Sequence, residues 1–141
     1  MRIDLHTHST ISDGTDAPAE LVDRARAVGL DVVALTDHDT FAGLDEATTR
    51  GEQIGVQVVR GMELSCSRVG QSVHLLVYGA DPDEPTLASE LEKVRGGRMG
   101  RLSGVLARLA ELGVPVSEEQ VLAEVGESPS VGRPHIADAM V

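Results

Sequence analysis

The run that most restricts the fold is residues 31–36, DVVALT, a nearly unbroken stretch of β-branched and apolar side chains. A strand that is apolar on both faces must be covered on both, which is the pattern of a buried parallel strand. Parallel neighbours need crossover connections, and the flanking sequence supplies helices for them. Before the run, Thr15-Asp16-Ala17-Pro18 reads as a helix start with proline in the first turn. Leu21, Val22, Ala25 and Val28 recur at helical spacing, and Gly29 closes that helix. After the run, residues 40–54 form a second helical stretch that ends at Gly55. Further strands are expected at residues 3–5, 56–59 and 73–78, with Glu63 just past the end of the one at 56–59. The order strand, helix, strand, helix, strand, strand predicts an α/β fold with a largely parallel sheet.

From Asp81 the texture changes. Asp81-Pro82-Asp83-Glu84-Pro85 is a turn or linker, and strand patterns then stop. Leu87, Leu91, Val94, Met99, Leu102, Leu106 and Leu109 trace an amphipathic helix, with a break expected at Gly96-Gly97. Ser117 and Gln120 are spaced for a capping box on a helix reaching Val125. Ser128-Pro129-Ser130 is another break, before residues 132–137, GRPHIA, open a last helix. Residues 1–80 are therefore expected to form the α/β part, and residues 81–141 a helical subdomain.

A chain of 141 residues suffices for one domain, and 41% hydrophobic with 25% charged residues is globular composition. The only aromatic carbocycles are Phe41 and Tyr78, so no platform exists for stacking single-stranded bases. A net charge of −11 argues against binding double-stranded nucleic acid through a basic patch. It leaves room for a small phosphorylated substrate in a pocket recharged by divalent ions. The lone Cys66 and the absence of a signal-peptide or membrane-spanning pattern fit a cytoplasmic protein.

The histidines carry the chemistry. His6 and His8 lie two apart at a strand end, so their rings point to one side, and Asp13 follows on the loop. His38, Glu63 and His74 complete a set spread over some seventy positions. All but His74 fall at or just past the C-terminal ends of expected strands, where parallel sheets gather ligands. Singly, each has a plainer role: Asp13 before Gly14 suits a turn, Glu63 suits a surface, and His74 between Val73 and Leu75 suits a core. Jointly, imidazoles and carboxylates without a thiolate point to a centre for Mn, Fe or Zn.

The series LHTHSTISDG, LTDHDT, GMELS and HLLVYG, followed by GRPHIA, resembles the motifs of the PHP (polymerase and histidinol phosphatase) family. The likeness is greatest to its stand-alone phosphoesterases for nucleoside 3',5'-bisphosphates and short RNA 5' ends. The resemblance implies a distorted (β/α)7 barrel, here partial and followed by a helical insertion subdomain, around two or three divalent ions. His6 and His8 would bind one ion, Glu63 would bridge it to a second held by His74, and Asp13 and His38 would hold the third. Glu63 and His38 are the catalytic candidates, with attack on a phosphomonoester occurring near Glu63. Asp37 or Asp39 is expected to orient His38, and Cys66 to be a small buried hydrophobe. Arg133 and His135, at a helix start, are the first candidates for gripping a substrate phosphate, and Arg98 and Arg101 the second pair.

In the family pattern one more histidine and an Asp-x-His pair lie well past residue 141. The chain is therefore expected to be the N-terminal part of a longer enzyme. Its open barrel edge would need covering, an oligomer through that edge being one way. The alternatives are a histidinol-phosphate phosphatase and a metal-binding fragment without activity.

Overall fold

Strand β1 (Ile3–Thr7) pairs in parallel with β2 (Val32–Leu35), and β2 pairs in parallel with β3 (Gln57–Arg68). The second half of β3 then pairs antiparallel with β4 (Gln71–Tyr78), giving one four-stranded sheet in sequence order. The computed structural model describes residues 1–141 except Glu127, Pro129 and Ser130, and of Met99 the backbone alone. The protein is thus α/β, as the alternation of elements predicts.

All four residues of β2 are buried. Val33 and Leu35 pack against Leu21, Val22 and Ala25 of α1 (Pro18–Ala27) and Leu44 and Ala47 of α2 (Leu44–Ile54). Pro18 occupies the first turn of α1, and Glu20 Oε2 accepts the Ala17 N–H at 3.0 Å. Helix α2 starts four residues later than its sequence pattern indicates, and Gly55 ends it in the left-handed region at φ 73°.

The third strand departs most from expectation. It runs 12 residues instead of four, so Glu63 lies inside it rather than past its end. The parallel pairing to β2 stops at Arg60, and from Gly61 the same strand pairs with β4. Gly61 permits the handover, because a Cβ there would sit 2.9 Å from Thr36 Cγ2 and 3.0 Å from Tyr78 Cδ1.

Beyond the sheet, α3 (Pro85–Glu111), α4 (Glu118–Val125) and α5 (Arg133–Asp138) surround a second core of Leu102, Val121, Val131 and Ile136. The break expected at Gly96-Gly97 is absent, and α3 passes straight through both glycines. The Ser117–Gln120 capping box forms, with bonds of 3.1 and 2.9 Å. The break expected at Ser128-Pro129-Ser130 lies outside the described residues except for Ser128, whose hydroxyl reaches the Ile11 and Ser12 carbonyls. Among the described residues no helix is long and apolar enough to cross a membrane.

Candidate metal centre

His6 and His8 leave β1 at an irregularity in its pairing with β2, between Asp4 and Thr7. His38 follows β2 and is joined to Glu63 by an isolated parallel bridge, which continues the β2–β3 pairing past its regular end. Asp39 N–H donates to the Glu63 carbonyl at 3.1 Å, and Glu63 N–H donates back to Thr36 at 3.1 Å. His74 enters from β4, paired with Ser65. Four strands and the loop after β1, which carries Asp13, thus bring six distant side chains to one place.

Glu63 is the hub, its side chain only 8% exposed. Its Oε2 lies 2.7 Å from His6 Nε2 and 3.0 Å from His8 Nε2, and its Oε1 lies 2.5 Å from His74 Nδ1. The Nε2 atoms of His6 and His8 are 3.1 Å apart. Asp13 Oδ1 is 3.4 Å from His8 Nδ1, and its Oδ2 is 3.4 Å from His38 Nε2. Three overlapping triads result: His6–His8–Glu63, His38–Glu63–His74 and His8–Asp13–His38.

These spacings fit cations. Two ligands at right angles, each ~2.1 Å from an ion, are ~3.0 Å apart. The His6–His8–Glu63 edges of 2.7, 3.0 and 3.1 Å match that value. Imidazole with carboxylate, and no thiolate in any triad, is the donor set of borderline divalent metals.

Proton equilibria reflect the same crowding. Burial lowers the His8 pKa, the Asp13 carboxylate only partly opposing it. For Asp13 burial acts upward, but its bond to His38 and the charges of His38 and His8 prevail and hold it at about 2. Burial likewise disfavours the charged His38 ring, yet Asp13 outweighs it and raises the pKa. Burial of Glu63 is overcome by His6, His38 and His74, which keep its carboxyl below the usual value.

The flanking carboxylates do not orient His38. Its Nδ1 is buried with no hydrogen-bond partner among the described residues. Asp37 turns instead to Ser9 and Ser12. Asp39 takes the Ser65 N–H on Oδ1 at 2.7 Å, and its Oδ2 lies 2.8 Å from an Arg98 nitrogen. That contact is an ion pair by distance, though not aligned as a hydrogen bond.

A cavity of about 1090 Å³ opens beside the centre, lined by Asp13, His38 and His74 and by the cations Lys93, Arg98, Arg101 and Arg133. Four cationic side chains thus line one cavity of a chain whose net charge is −11. Arg101 and Arg133 are exposed there, whereas Arg98 is half-buried and engaged by Asp39 and Ser65. His135, expected to grip phosphate, is buried, and its Nδ1 accepts the Gly132 N–H at 2.9 Å. It caps α5 and is not among the cavity's lining residues. Cys66, expected to be buried, is only half-buried and lines the cavity. Sequence reasoning missed Lys93, whose position only the path of α3 reveals.

An α/β sheet with a cluster of candidate ligands drawn from all four strands is the arrangement of a metal-dependent class. The chain belongs to the PHP domain family, whose model matches residues 4–106. It is 38% identical over 114 residues to a 5'-3' exoribonuclease of Haemophilus influenzae, covering 81% of this chain and 42% of the relative. It is 37% identical over 139 residues to a 3',5'-nucleoside bisphosphate phosphatase of Chromobacterium violaceum, covering 99% and 49%. Among solved structures it is similar to a protein of Bifidobacterium adolescentis described as a metal-dependent phosphoesterase, with 41% identity and TM-score 0.90, covering 99% and 49%. The chain spans about half the length of the curated relatives it matches.

Proposed function

We propose that this chain carries most of the metal centre of a phosphoesterase that hydrolyses a phosphomonoester of a nucleotide, either a 3',5'-bisphosphonucleoside or a short RNA 5' end. The observation that carries the reading is the convergence of His6, His8 and His74 on the two oxygens of Glu63, beside a cavity with four cationic side chains. The names of the relatives support the substrate class. The sheet is read as the first strands of a distorted (β/α)7 barrel, with residues 81–141 as a helical insertion.

In this reading His6, His8 and Glu63 would hold one ion, Glu63 with His74 a second, and Asp13 with His38 a third. Divalent cations bound there, Mn, Fe or Zn, supply charge to the phosphate oxygens and make an adjacent water more acidic. Glu63 and His38 hold that water's surroundings, Glu63 as the shared carboxylate and His38 through Nε2. Arg101 and Arg133 grip the phosphate that is not cleaved, and Lys93 extends the same field. Water adds to phosphorus as the P–O bond to the ester oxygen breaks, and the proton that the water gives up goes to the leaving oxygen. The volume of about 1090 Å³ admits a mononucleotide with two phosphates.

The test is phosphate release by the manganese-loaded protein from 3',5'-bisphosphoadenosine, 5'-phosphorylated dinucleotide and histidinol phosphate. The expected result is release from the nucleotides and loss with Glu63→Gln. Release from histidinol phosphate alone would overturn the substrate class. Metal binding with no release from any of the three would favour a metal-binding module without activity.

A further inference from the structure

Asp37 belongs to none of the three ligand triads, yet it is only 2% exposed and its carboxylate takes three donors. Ser9 N–H donates to Oδ1 at 2.8 Å, Ser12 Oγ donates to Oδ1 at 2.6 Å, and Ser9 Oγ donates to Oδ2 at 2.6 Å. Both serines are buried as well, at 0% and 2% exposed. They belong to the loop between β1 and α1, which carries Asp13 and begins at His8.

We propose that Asp37, acting through Ser9 and Ser12, is a positioning residue that holds the His8 ring and the Asp13 carboxylate at the metal centre. The proposal rests on the metal reading above. A carboxylate only accepts, so it obliges both serine hydroxyls to donate inward. A hydroxyl has one proton. With that of Ser12 given to Asp37 at 2.6 Å, its 3.3 Å approach to Asp13 Oδ1 is packing rather than a second bond. The Ser12 lone pairs are left toward His8 Nδ1, 3.4 Å away, with Asp13 Oδ1 at the same distance as the other acceptor. Both acceptors favour a proton on His8 Nδ1. That leaves the Nε2 lone pair on the side where His6 Nε2 and Glu63 Oε2 lie at 3.1 and 3.0 Å. Metal-bound histidines are held by such a bond at the other ring nitrogen.

The construction also explains how a carboxyl group can be buried here with no ion pair among the described residues. Three donors offset the loss of water around it, and the return is a loop fastened at three points to the end of β2. Ser12 N–H and Gly14 N–H both donate to the Ser9 carbonyl, at 3.0 and 2.9 Å, so the loop closes on the residue that Asp37 grips most.

Manganese titration calorimetry on Asp37→Ala, Asp37→Asn and Ser12→Ala, with ion counts after desalting, tests this. Asp37→Ala should weaken manganese binding both where His8 Nε2 is a ligand and where the Asp13 carboxylate is one, by about 10–100-fold, the usual scale for such supporting groups. Asp37→Asn keeps an acceptor oxygen for Ser9 N–H and Ser12 Oγ and should stay within about threefold of wild type on the same scale. In the metal-free protein, nitrogen-15 NMR should show His8 protonated on Nδ1, and Ser12→Ala should shift that tautomer. Wild-type ion count and affinity in Asp37→Ala would overturn the positioning role, as would an Asn variant as impaired as the Ala variant. A wild-type protein that binds no manganese overturns the metal reading, and this role with it. If Asp37→Ala does not fold, Ser12→Ala decides: about tenfold weaker binding supports the role, and wild-type affinity overturns it.

Discussion

Gly14→Ala is the substitution whose consequence can be worked most directly from the structure. A Cβ at position 14 would lie 2.1 Å from the His8 carbonyl oxygen, 2.4 Å from its carbon and 2.8 Å from Ser9 N. All three are backbone atoms, so no side chain can rotate away. Against the 3.0 Å that real Cβ atoms respect, the shortfall at the oxygen is 3.0 − 2.1, about 0.9 Å. The loop cannot yield freely, since Gly14 N–H is bonded to Ser9 at 2.9 Å and Thr10 N–H to Asp16 at 2.9 Å. The shift therefore falls on His8, whose ring holds 3.0 Å to Glu63 and 3.1 Å to His6. Overpacking of this kind costs about 1–3 kcal/mol, which lowers the melting temperature by roughly 3–10 °C in a domain of this size. Manganese affinity should fall by about 10–100-fold, the scale of a misplaced ligand. Gly100→Ala in α3 is the control: nothing lies within 4 Å of its added Cβ, and alanine favours helix. Melting curves with and without manganese measure both variants. If Gly14→Ala melted and bound manganese as wild type does, the loop would be looser than its contacts imply and the reasoning would fail.

Glu63 belongs to two triads, so Glu63→Gln should lower the bound-ion count by more than one, measured by atomic emission; loss of a single ion would contradict a shared carboxylate. His38 is raised above its usual pKa while His8 is lowered, so on acidification protons displace the ion at Asp13–His38 before the one at His6–His8–Glu63. Titration from pH 8 to 5 should resolve that order, and the reverse order would refute it. In the metal-free protein the Asp13–His38 pair stabilises the fold where both are charged. The Asp13 part is lost as pH falls from 3.8 towards about 2, and the His38 part as pH rises past 6.5. Asp13→Asn should flatten the melting temperature across that window. Leu35→Ala removes a side chain 1% exposed between α1 and α2 and should cost about 2–5 kcal/mol by urea unfolding.

The candidate ligands were readable from the chain because two restrictions coincide at them. Few residue types bind borderline metals, and a parallel sheet collects side chains at one end of its strands. His6, His8 and His38 satisfy both in the bare sequence. Glu63 satisfied them for a partly mistaken reason: it lies within β3, at the point where pairing passes from β2 to β4. A parallel strand and an antiparallel strand can share one continuous backbone, and nothing in the run from Gln57 to Arg68 marks the change except Gly61. The glycine pair in α3 misled in the opposite direction. No neighbour lies within 4 Å of a Cβ at either position, so they impose no bend, and burial of Leu91 and Leu102 on either side holds the helix through them.

The supporting groups stayed hidden because their roles depend on where the backbone turns. Asp37 and Asp39 flank His38 equally in sequence, which suggested that either might hold its ring. In space Asp39 sits at φ 55°, in the left-handed region, and its carboxylate swings to Ser65 and Arg98. Asp37, with its neighbour's turn behind it, faces the β1–α1 loop. The two carboxylates thus brace different partners of the centre, Asp37 the loop of His8 and Asp13, and Asp39 the helix that carries Arg98 and Arg95. Between them His38 projects Nε2 toward Asp13 and Glu63 and keeps Nδ1 buried, without a partner among the described residues. Its orientation comes from the backbone bridge to Glu63 and the Asp13 contact at Nε2, not from a bond at Nδ1. That makes the β2–β3 junction itself the element on which the centre's geometry depends.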